Sequence, residues 1–357
     1  MTAPRRHDLR LFDDFERTDM DRARPSEEGF AWWNRTARPE VAAMRSELEC
    51  WFSRYCPEDA PRLRREFRTR RRPQHVGALF ELFVHEQLVK AGFDVECQLM
   101  LPGTPNRPDF LAHRAGCEPF YVEAKTKLES SETAADEKRL RIILDEVRSL
   151  PSRGFAVGVS SHGTPPRTVE TISLRRGVSD WLQSLDYEHE LAVSRAGRHS
   201  QQSVWTWSAD QFHLRFHAVP VERPHGELRP TVLGYMLPGT CQLSVTDRDI
   251  AAAVEEKASH YGHLEHPYII AINLMDIRLE PGDVEAGVSM AFGSIAHPRN
   301  SRVSALLLGQ VANMASAVDG IARLVANPTA ERPLGETTVR FTPYQLDPHI
   351  HAWAATP

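Results

Sequence analysis

The chain reads as an α/β protein whose core runs helix, three strands, helix, strand. Three observations predict this class. Residues 75–91 carry an apolar stripe at helical spacing. Residues 93–126 then break into three short apolar runs, separated by the turn clusters Pro102-Gly103-Thr104-Pro105-Asn106 and Arg114-Ala115-Gly116. A second helical stripe over 134–150 leads into the apolar run Phe155–Ser160.

Taken in order, residues 1–36 are polar and rich in Asp and Arg, an extended arm expected to dock through Trp32 and Trp33. Over 38–56, Val41, Met44, Leu48, Trp51, Phe52 and Tyr55 share a helix face, and Pro57 ends it. A short helix follows from Pro61, since proline suits a first turn. The run Arg62–Arg72 holds seven arginines. It reads as a solvated helix surface, with phosphate contact beside a cleft as the alternative. In 75–91, Val76, Leu79, Phe80, Phe83, Val84, Leu88 and Ala91 form the stripe, and Gly92 supplies a C-cap. Strands are expected at Phe93–Leu101, Asp109–His113 and Pro119–Thr126. The helix Ala134–Leu150 should turn Leu140, Ile143, Leu144 and Val147 inward.

Beyond residue 161 the pattern weakens. A helix is expected at Val178–Leu185 and strands at Ser203–Trp207, Phe212–Val221 and Thr231–Leu237. A helix over Asp249–Tyr261 leads into the buried strand Pro267–Asn273. Another strand falls at Val303–Leu308 and a helix at Asn313–Val325, and 327–357 reads as extended. The expected divisions are an N-terminal arm with helices (1–72), the core (73–160) and an α+β region (161–357). The late helix–strand pair could complete the same sheet with 161–245 as an insertion, so one composite domain and two domains both stay open.

Composition is ordinary for a globular protein, with 41% hydrophobic and 25% charged residues among 357, and the net charge of -5 does not advertise nucleic-acid binding. The five cysteines are odd in number, widely spaced and without a CxxC pair, which argues against a disulfide framework or zinc site and fits a reducing cytoplasm. Met1–Thr18 is charged, so no signal peptide is read. No apolar run nears the roughly 20 residues of a membrane helix. Only five of the 43 basic residues are lysines, so a lysine at a chemically useful position carries weight.

The chemistry concentrates between Phe80 and Lys125. Glu81 lies on the 75–91 helix, Pro108-Asp109-Phe110 opens a strand, and Tyr121-Val122-Glu123-Ala124-Lys125 closes the next. Cleaving a phosphodiester requires an activated water and neutralised phosphate charge, which carboxylate-held divalent ions supply. Two carboxylates on adjacent strands can converge on one ion. A lysine two residues after the second shares its face, because strand side chains alternate. Glu86 is five residues beyond Glu81, about 500° around a helix, and faces elsewhere. Three acidic-x-Lys tripeptides occur, but Asp136-x-Lys138 and Glu255-x-Lys257 fall in expected helices, where i and i+2 do not share a face.

This order and context resemble the PD-(D/E)xK nuclease superfamily, with its restriction-endonuclease-like fold. The resemblance covers residues 75–160. It implies that Asp109 and Glu123 bind Mg²⁺ (or Mn²⁺), with Glu81 and the Ala124 carbonyl as further ligands. It implies that Lys125 positions or activates the water, and that the substrate is DNA, with RNA as the alternative. No glutamine–tyrosine pair follows on the 134–150 helix, so the RecB-like branch is not indicated. The expected function is metal-dependent phosphodiester hydrolysis in restriction, defence or repair. A non-cleaving nucleic-acid-binding or assembly protein on the same fold is one alternative. A toxin-like or partner-controlled effector nuclease, whose C-terminal half senses a signal, is the other; a homodimer or a partner protein stays open on either reading.

Other clusters read as structural. His260, His263 and His266 fall in a helix-to-strand turn, His213 and His217 on one strand face, and Asp347, His349 and His351 near the end. Trp205 and Trp207 read as core packing, with base stacking as the alternative. Lys127, Lys138, Arg139 and Arg141 read equally as nucleic-acid path or exposed helix charge. There is no GxSxG, P-loop or GxGxxG.

Overall fold

The computed structural model of the chain describes residues 8–24, 26–27, 29–101, 105–126, 131–152, 154–167, 170–198, 201–221, 229–230, 232–235, 247–261, 264–274, 281–335 and 342–343. The chain opens with α1 (Gly29–Arg35), α2 (Pro39–Arg54), α3 (Ala60–Phe67) and the long α4 (Arg72–Lys90). Prolines sit in the first turns of α2, α3 and α4, where a missing N–H costs nothing. After α4 come β1 (Asp94–Cys97), β2 (Phe110–His113) and β3 (Phe120–Thr126), each antiparallel to the one before.

The chain then departs to build a separate unit from α5 (Ser131–Arg148), β4 (Pro151–Ser152), β5 (Phe155–His162), α6 (Thr171–Ser184), α7 (Tyr187–Arg195), β6 (Val204–Ala209), β7 (Phe212–Pro220), β8 (Arg229–Pro230) and β9 (Val232–Tyr235). It returns with α8 (Asp247–Ala258), β10 (Tyr268–Asn273), α9 (Pro281–Phe292), β11 (Ala305–Gly309), α10 (Met314–Val318), β12 (Arg323–Ala326) and the two-residue β13 (Thr342–Pro343). Two compact units result: residues 1–22, 28–128 and 244–357 in unit 1, and 23–27 with 129–243 in unit 2.

Unit 1 is a mixed sheet in the order β1-β2-β3-β10-β11-β12, with β13 as an edge stub. β10 runs parallel to both β3 and β11, while β12 is antiparallel to β11. Helices cover both faces. Leu48, Trp51 and Phe52 of α2, Leu63 of α3 and Leu79, Phe80 and Phe83 of α4 pack with Phe120, Val122, Ile269 and Leu307 in one apolar layer. Ile250 and Val254 of α8 and Val284 and Val288 of α9 pack with Tyr121, Ile270, Ile272 and Leu306 in the other. Every residue of β10 and β11 is buried, as strands covered on both faces require. Unit 2 is built on the four-stranded sheet β6-β7-β5-β9, beside the short β4–β8 pair. Its core joins Leu140, Ile143, Leu144 and Val147 of α5 to Val157, Val159, Leu214 and Phe216.

Several sequence expectations are corrected. The expected core over 73–160 is divided between two units, because β5 pairs with β7 and β9 rather than with β3. The strand beside β3 is β10, and the departure begins near residue 129, well before 161. The first strand is shorter than Phe93–Leu101: Gln98 takes φ +52°, which breaks the ladder after Cys97. α1 and α9 were not anticipated, and the helix expected over Asn313–Val325 stops at Val318. There Gly320 turns the chain so tightly that a Cβ would lie 2.4 Å from the Ser316 carbonyl oxygen, and β12 follows. The cysteine reading fails at one pair, since Cys56 and Cys97 are joined by a disulfide across 41 residues. Among the described helices none is long and apolar enough to cross a membrane.

Candidate active site

Where β2 begins and β3 ends, acidic side chains arrive from three directions. Glu81 comes from the middle of α4, where it is buried. Asp109 immediately precedes β2, and Glu123 lies within β3 on the face toward α8. The ladder between β2 and β3 ends at Phe110 opposite Val122. Two residues further along β3, the Ala124 N–H donates instead to Asp109 Oδ2 at 2.8 Å. A strand residue directs its N–H and C=O to the same side, so the Ala124 carbonyl also lies toward Asp109. Gln98, held by its unusual backbone, donates from Nε2 to Asp109 Oδ1 at 3.1 Å and from its backbone N to the Asp109 carbonyl at 2.9 Å.

Each of the other two carboxylates has a cation and a phenol. The Tyr55 hydroxyl donates to Glu81 Oε1 at 2.6 Å, and Arg62 donates to the same oxygen while also binding Asp59 and Glu66. Lys257 of α8 donates to Glu123 Oε1 and the Tyr261 hydroxyl donates to Glu123 Oε2, with its oxygen 2.9 Å from the Arg107 carbonyl. Lys125 Nζ contacts Glu256 Oε1 of α8 at 2.6 Å.

The electrostatics follow from this crowding. Burial, and then the charges of Glu81 and Glu123, push the Asp109 carboxyl well above its ordinary range, against the pull of the Ala124 N–H and Lys257. Burial raises Glu81 as well, opposed by Arg62 and Tyr55. Burial alone would make the Arg62 guanidinium less basic, but its bonds to Asp59 and Glu81 more than offset this and hold it charged. Burial and the neighbouring Glu123 carboxylate raise Tyr261, so its hydroxyl stays protonated and remains a donor. The hydrogen bond from Lys125 lowers Glu256.

The structure therefore brings Glu81, Asp109, Glu123 and the Ala124 backbone together, with Lys125 on the Glu123 face. Glu86 is committed elsewhere: both its oxygens accept from Arg54 at 2.7 Å, and Lys90 approaches at 3.8 Å. Sequence reasoning missed Lys257, Tyr261 and Glu256, which come from the far side of unit 2 in the chain. The Glu255-x-Lys257 spacing points away from a site because Glu255 and Lys257 do not share a helix face. That geometry holds, since Glu255 pairs with Arg299 instead, but Lys257 reaches Glu123 without it. The arginine run also hid a specific residue. Arg62 binds Glu81, Arg64 donates to the Arg10 carbonyl, and Arg68 binds the Leu11 carbonyl and Asp13. Of the basic residues after the site, Lys127 lies outside the described residues, while Arg139 is spent on Asp136 and the Pro165 carbonyl.

Hard oxygen donors of this kind suit Mg²⁺ or Mn²⁺. The charges of Glu81 and Glu123 raise the proton affinity of Asp109, and a divalent cation would relieve that repulsion. In the arrangement seen here Arg62 and Lys257 provide the compensating charge. Among the described residues, the His, Cys, Asp and Glu ligand atoms that gather within 4.8 Å of one another belong to a different group, Cys56, His85 and Cys97.

The remaining candidates make structural contacts. Trp207 is buried in unit 2 and Trp205 packs over Gly177, where a Cβ would sit 2.3 Å from the indole. His213 bonds Ser208 Oγ at 2.7 Å and His266 lies against Tyr121. His263, Asp347, His349 and His351 lie outside the described residues. The chain matches no family model, and no curated protein or solved structure matches it significantly.

Proposed function

We propose that unit 1 is a restriction-endonuclease-like core and that the chain is a metal-dependent nuclease hydrolysing phosphodiester bonds, most readily those of DNA. The observation that carries this reading is the convergence of Glu81, Asp109 and Glu123 from one helix and two adjacent strands, with Lys125 two residues beyond Glu123 on the same face. The topology supports it. With the inserted unit set aside, α4-β1-β2-β3-α8-β10 follows the α-β-β-β-α-β order of that fold, and β10 runs parallel to β3.

Asp109 and Glu123 would hold Mg²⁺, with Glu81 and the Ala124 carbonyl completing the set. A divalent ion bound there supplies an acidified water and charge neutralisation at the phosphate. Lys125 then has one task, to orient a water or phosphate oxygen, and its ammonium is free for it once Glu256 lets go. Tyr261 and Lys257 fix the Glu123 carboxylate in one orientation. Gln98 and the Ala124 N–H do the same for Asp109.

The test is cleavage of plasmid, single-stranded DNA and RNA with Mg²⁺, Mn²⁺ or EDTA, beside Asp109→Ala and Lys125→Ala. Metal-dependent cutting lost in both variants is the expected result. Cutting that survives both would overturn the site. The Lys125–Glu256 pair also favours a second reading, a partner-controlled effector, in which Glu256 restrains Lys125 until a partner binds. On that reading Glu256→Ala cuts without the partner while the unaltered chain stays silent.

A further inference from the structure

Three side chains that this reaction does not use meet beside it. Cys56 follows α2, His85 lies on α4 one turn beyond Glu81, and Cys97 ends β1. The two sulfurs are joined, and one ring nitrogen of His85 lies within 4.8 Å of both. His85 is 1% exposed, and its Nδ1 is buried without a hydrogen-bond partner. Its ring lies tilted against Tyr55 and Phe110, at 4.9 and 5.8 Å between centroids. An unsatisfied polar atom in such a place is uncommon and asks for a partner.

We propose that in the reduced protein Cys56, Cys97 and His85 bind one thiophilic divalent ion of the zinc class. The donor types are those such ions select, two thiolates and an imidazole. An imidazole binds such an ion through the lone pair of one ring nitrogen. The cysteine Cα atoms are 6.0 Å apart. At a Zn–S distance of ~2.3 Å, a tetrahedral ion needs the sulfurs about 3.8 Å apart, a separation that rotation about Cα–Cβ supplies. Cys97 is half-buried and gives an ion a way in. Three protein ligands leave the fourth position to water.

The chemistry balances. A dithiol reductant gives two electrons and two protons to the S–S bond, leaving two thiols and the oxidised, cyclic reductant. Binding one divalent ion then releases both protons. The location links the ion to the carboxylates. Tyr55, next to Cys56, donates to Glu81, and Gln98, next to Cys97, donates to Asp109. An ion here would therefore tie α2, α4 and β1 together behind two of the three acidic groups.

The test uses the full-length chain, reduced with a dithiol and transferred anaerobically, titrated with Co²⁺ and then Zn²⁺. A carboxylate-bound cobalt gives no sulfur-to-metal charge-transfer band, so that band separates this site from the one at Asp109. The expected result is a band saturating at one equivalent, displaced by Zn²⁺, absent in the oxidised protein, retained in Asp109→Asn and lost in Cys56→Ser and Cys97→Ser. If either serine variant fails to fold, alkylation of the unaltered chain read by mass spectrometry replaces it: Zn²⁺ should protect Cys56 and Cys97 but not Cys50. No band in the reduced wild type, a band that persists in both serine variants, or equal alkylation with and without Zn²⁺ would each overturn the proposal.

Discussion

The central sheet of unit 1 is covered on both faces, whereas strands of the four-stranded sheet of unit 2 alternate between covered and open positions. β10 and β11 bury every residue, while β7 reads buried and exposed in turn, with Phe212, Leu214, Phe216 and Ala218 inside and His213 and Arg215 outside. Buried charge follows the same division. Unit 1 buries Glu81, Glu86, Glu123 and Arg45, each with charged or main-chain partners. In unit 2, Glu190 is buried and bonds Ser203. A sheet covered on both sides restricts a carboxylate's access to water, so each one it keeps must be matched by a specific donor. That is costly for a scaffold and useful for a site, because the matched groups are held in place.

The sharpest way to break the comparison is to remove one such donor. Lys257→Ala leaves Glu123 buried with only Tyr261. Losing one partner of a buried ion pair costs about 3–5 kcal/mol, to be read as a fall in the urea midpoint. Adding Glu123→Gln should recover much of that loss, since it removes the stranded charge. If Lys257→Ala unfolds like the wild type, the pair is not buried as described and the contrast between the units weakens.

Unit 2 should fail for a different reason. Gly177 has no room for a methyl group, because Trp205 covers it. Gly177→Ala should therefore cost about 1–3 kcal/mol through overpacking. Gly177→Ala combined with Trp205→Phe, which shortens the ring, should be milder than Gly177→Ala alone. Equal losses would mean that shape does not limit this layer.

Asp109 offers a prediction of opposite sign. Its folded carboxyl holds its proton more tightly than an unfolded one, whose pKa is about 3.9. The stability this confers is fully present below about pH 4 and is lost as pH rises through the folded value. Asp109→Asn removes that loss, so without metal its melting temperature should match the wild type in acid and exceed it toward neutrality. Mg²⁺ should reverse the order, stabilising the wild type more as pH rises and the variant not at all. A variant less stable than the wild type at neutral pH without metal would show that the three carboxylates do not repel as drawn.

These contrasts also explain what the sequence disclosed. The stripe on α4 and the period-2 relation of Glu123 and Lys125 are local, and both were legible. The identity of the strand beside β3 was not, because an amphipathic helix followed by an apolar strand describes α5–β5 and α8–β10 equally well. A signal was present. Tyr268-Ile269-Ile270-Ala271-Ile272 is apolar throughout, as a doubly covered strand must be, whereas β5 carries Gly158, Ser160 and Ser161. Lys257 lies 134 residues from Glu123, and Cys97 lies 41 from Cys56. No spacing rule pairs Glu123 with Lys257 across an inserted unit, or Cys56 with Cys97 across two helices and a strand, so such partners appear only when the fold is closed.

The smallest effect belongs on the open face of β7. His217 is lowered from its ordinary value first by burial and then by the charge of Arg215 two residues away on the same face. Arg215→Ala removes the second cause and leaves the first. The His217 titration, followed by its ring proton resonances, should move up toward about 6.5 without reaching it. A depressed histidine withdraws stability as pH falls and the ring is forced to charge, so the variant should lose slightly less stability in acid than the wild type. At neutral pH the two should unfold together, as exposed substitutions usually do. A full return of His217 to the ordinary value would mean that burial contributes nothing and that this face is as open as bulk solvent. An unchanged titration would mean that solvent already screens Arg215 completely. Either result would redraw the boundary between the covered and open faces that separates this sheet from the one in unit 1.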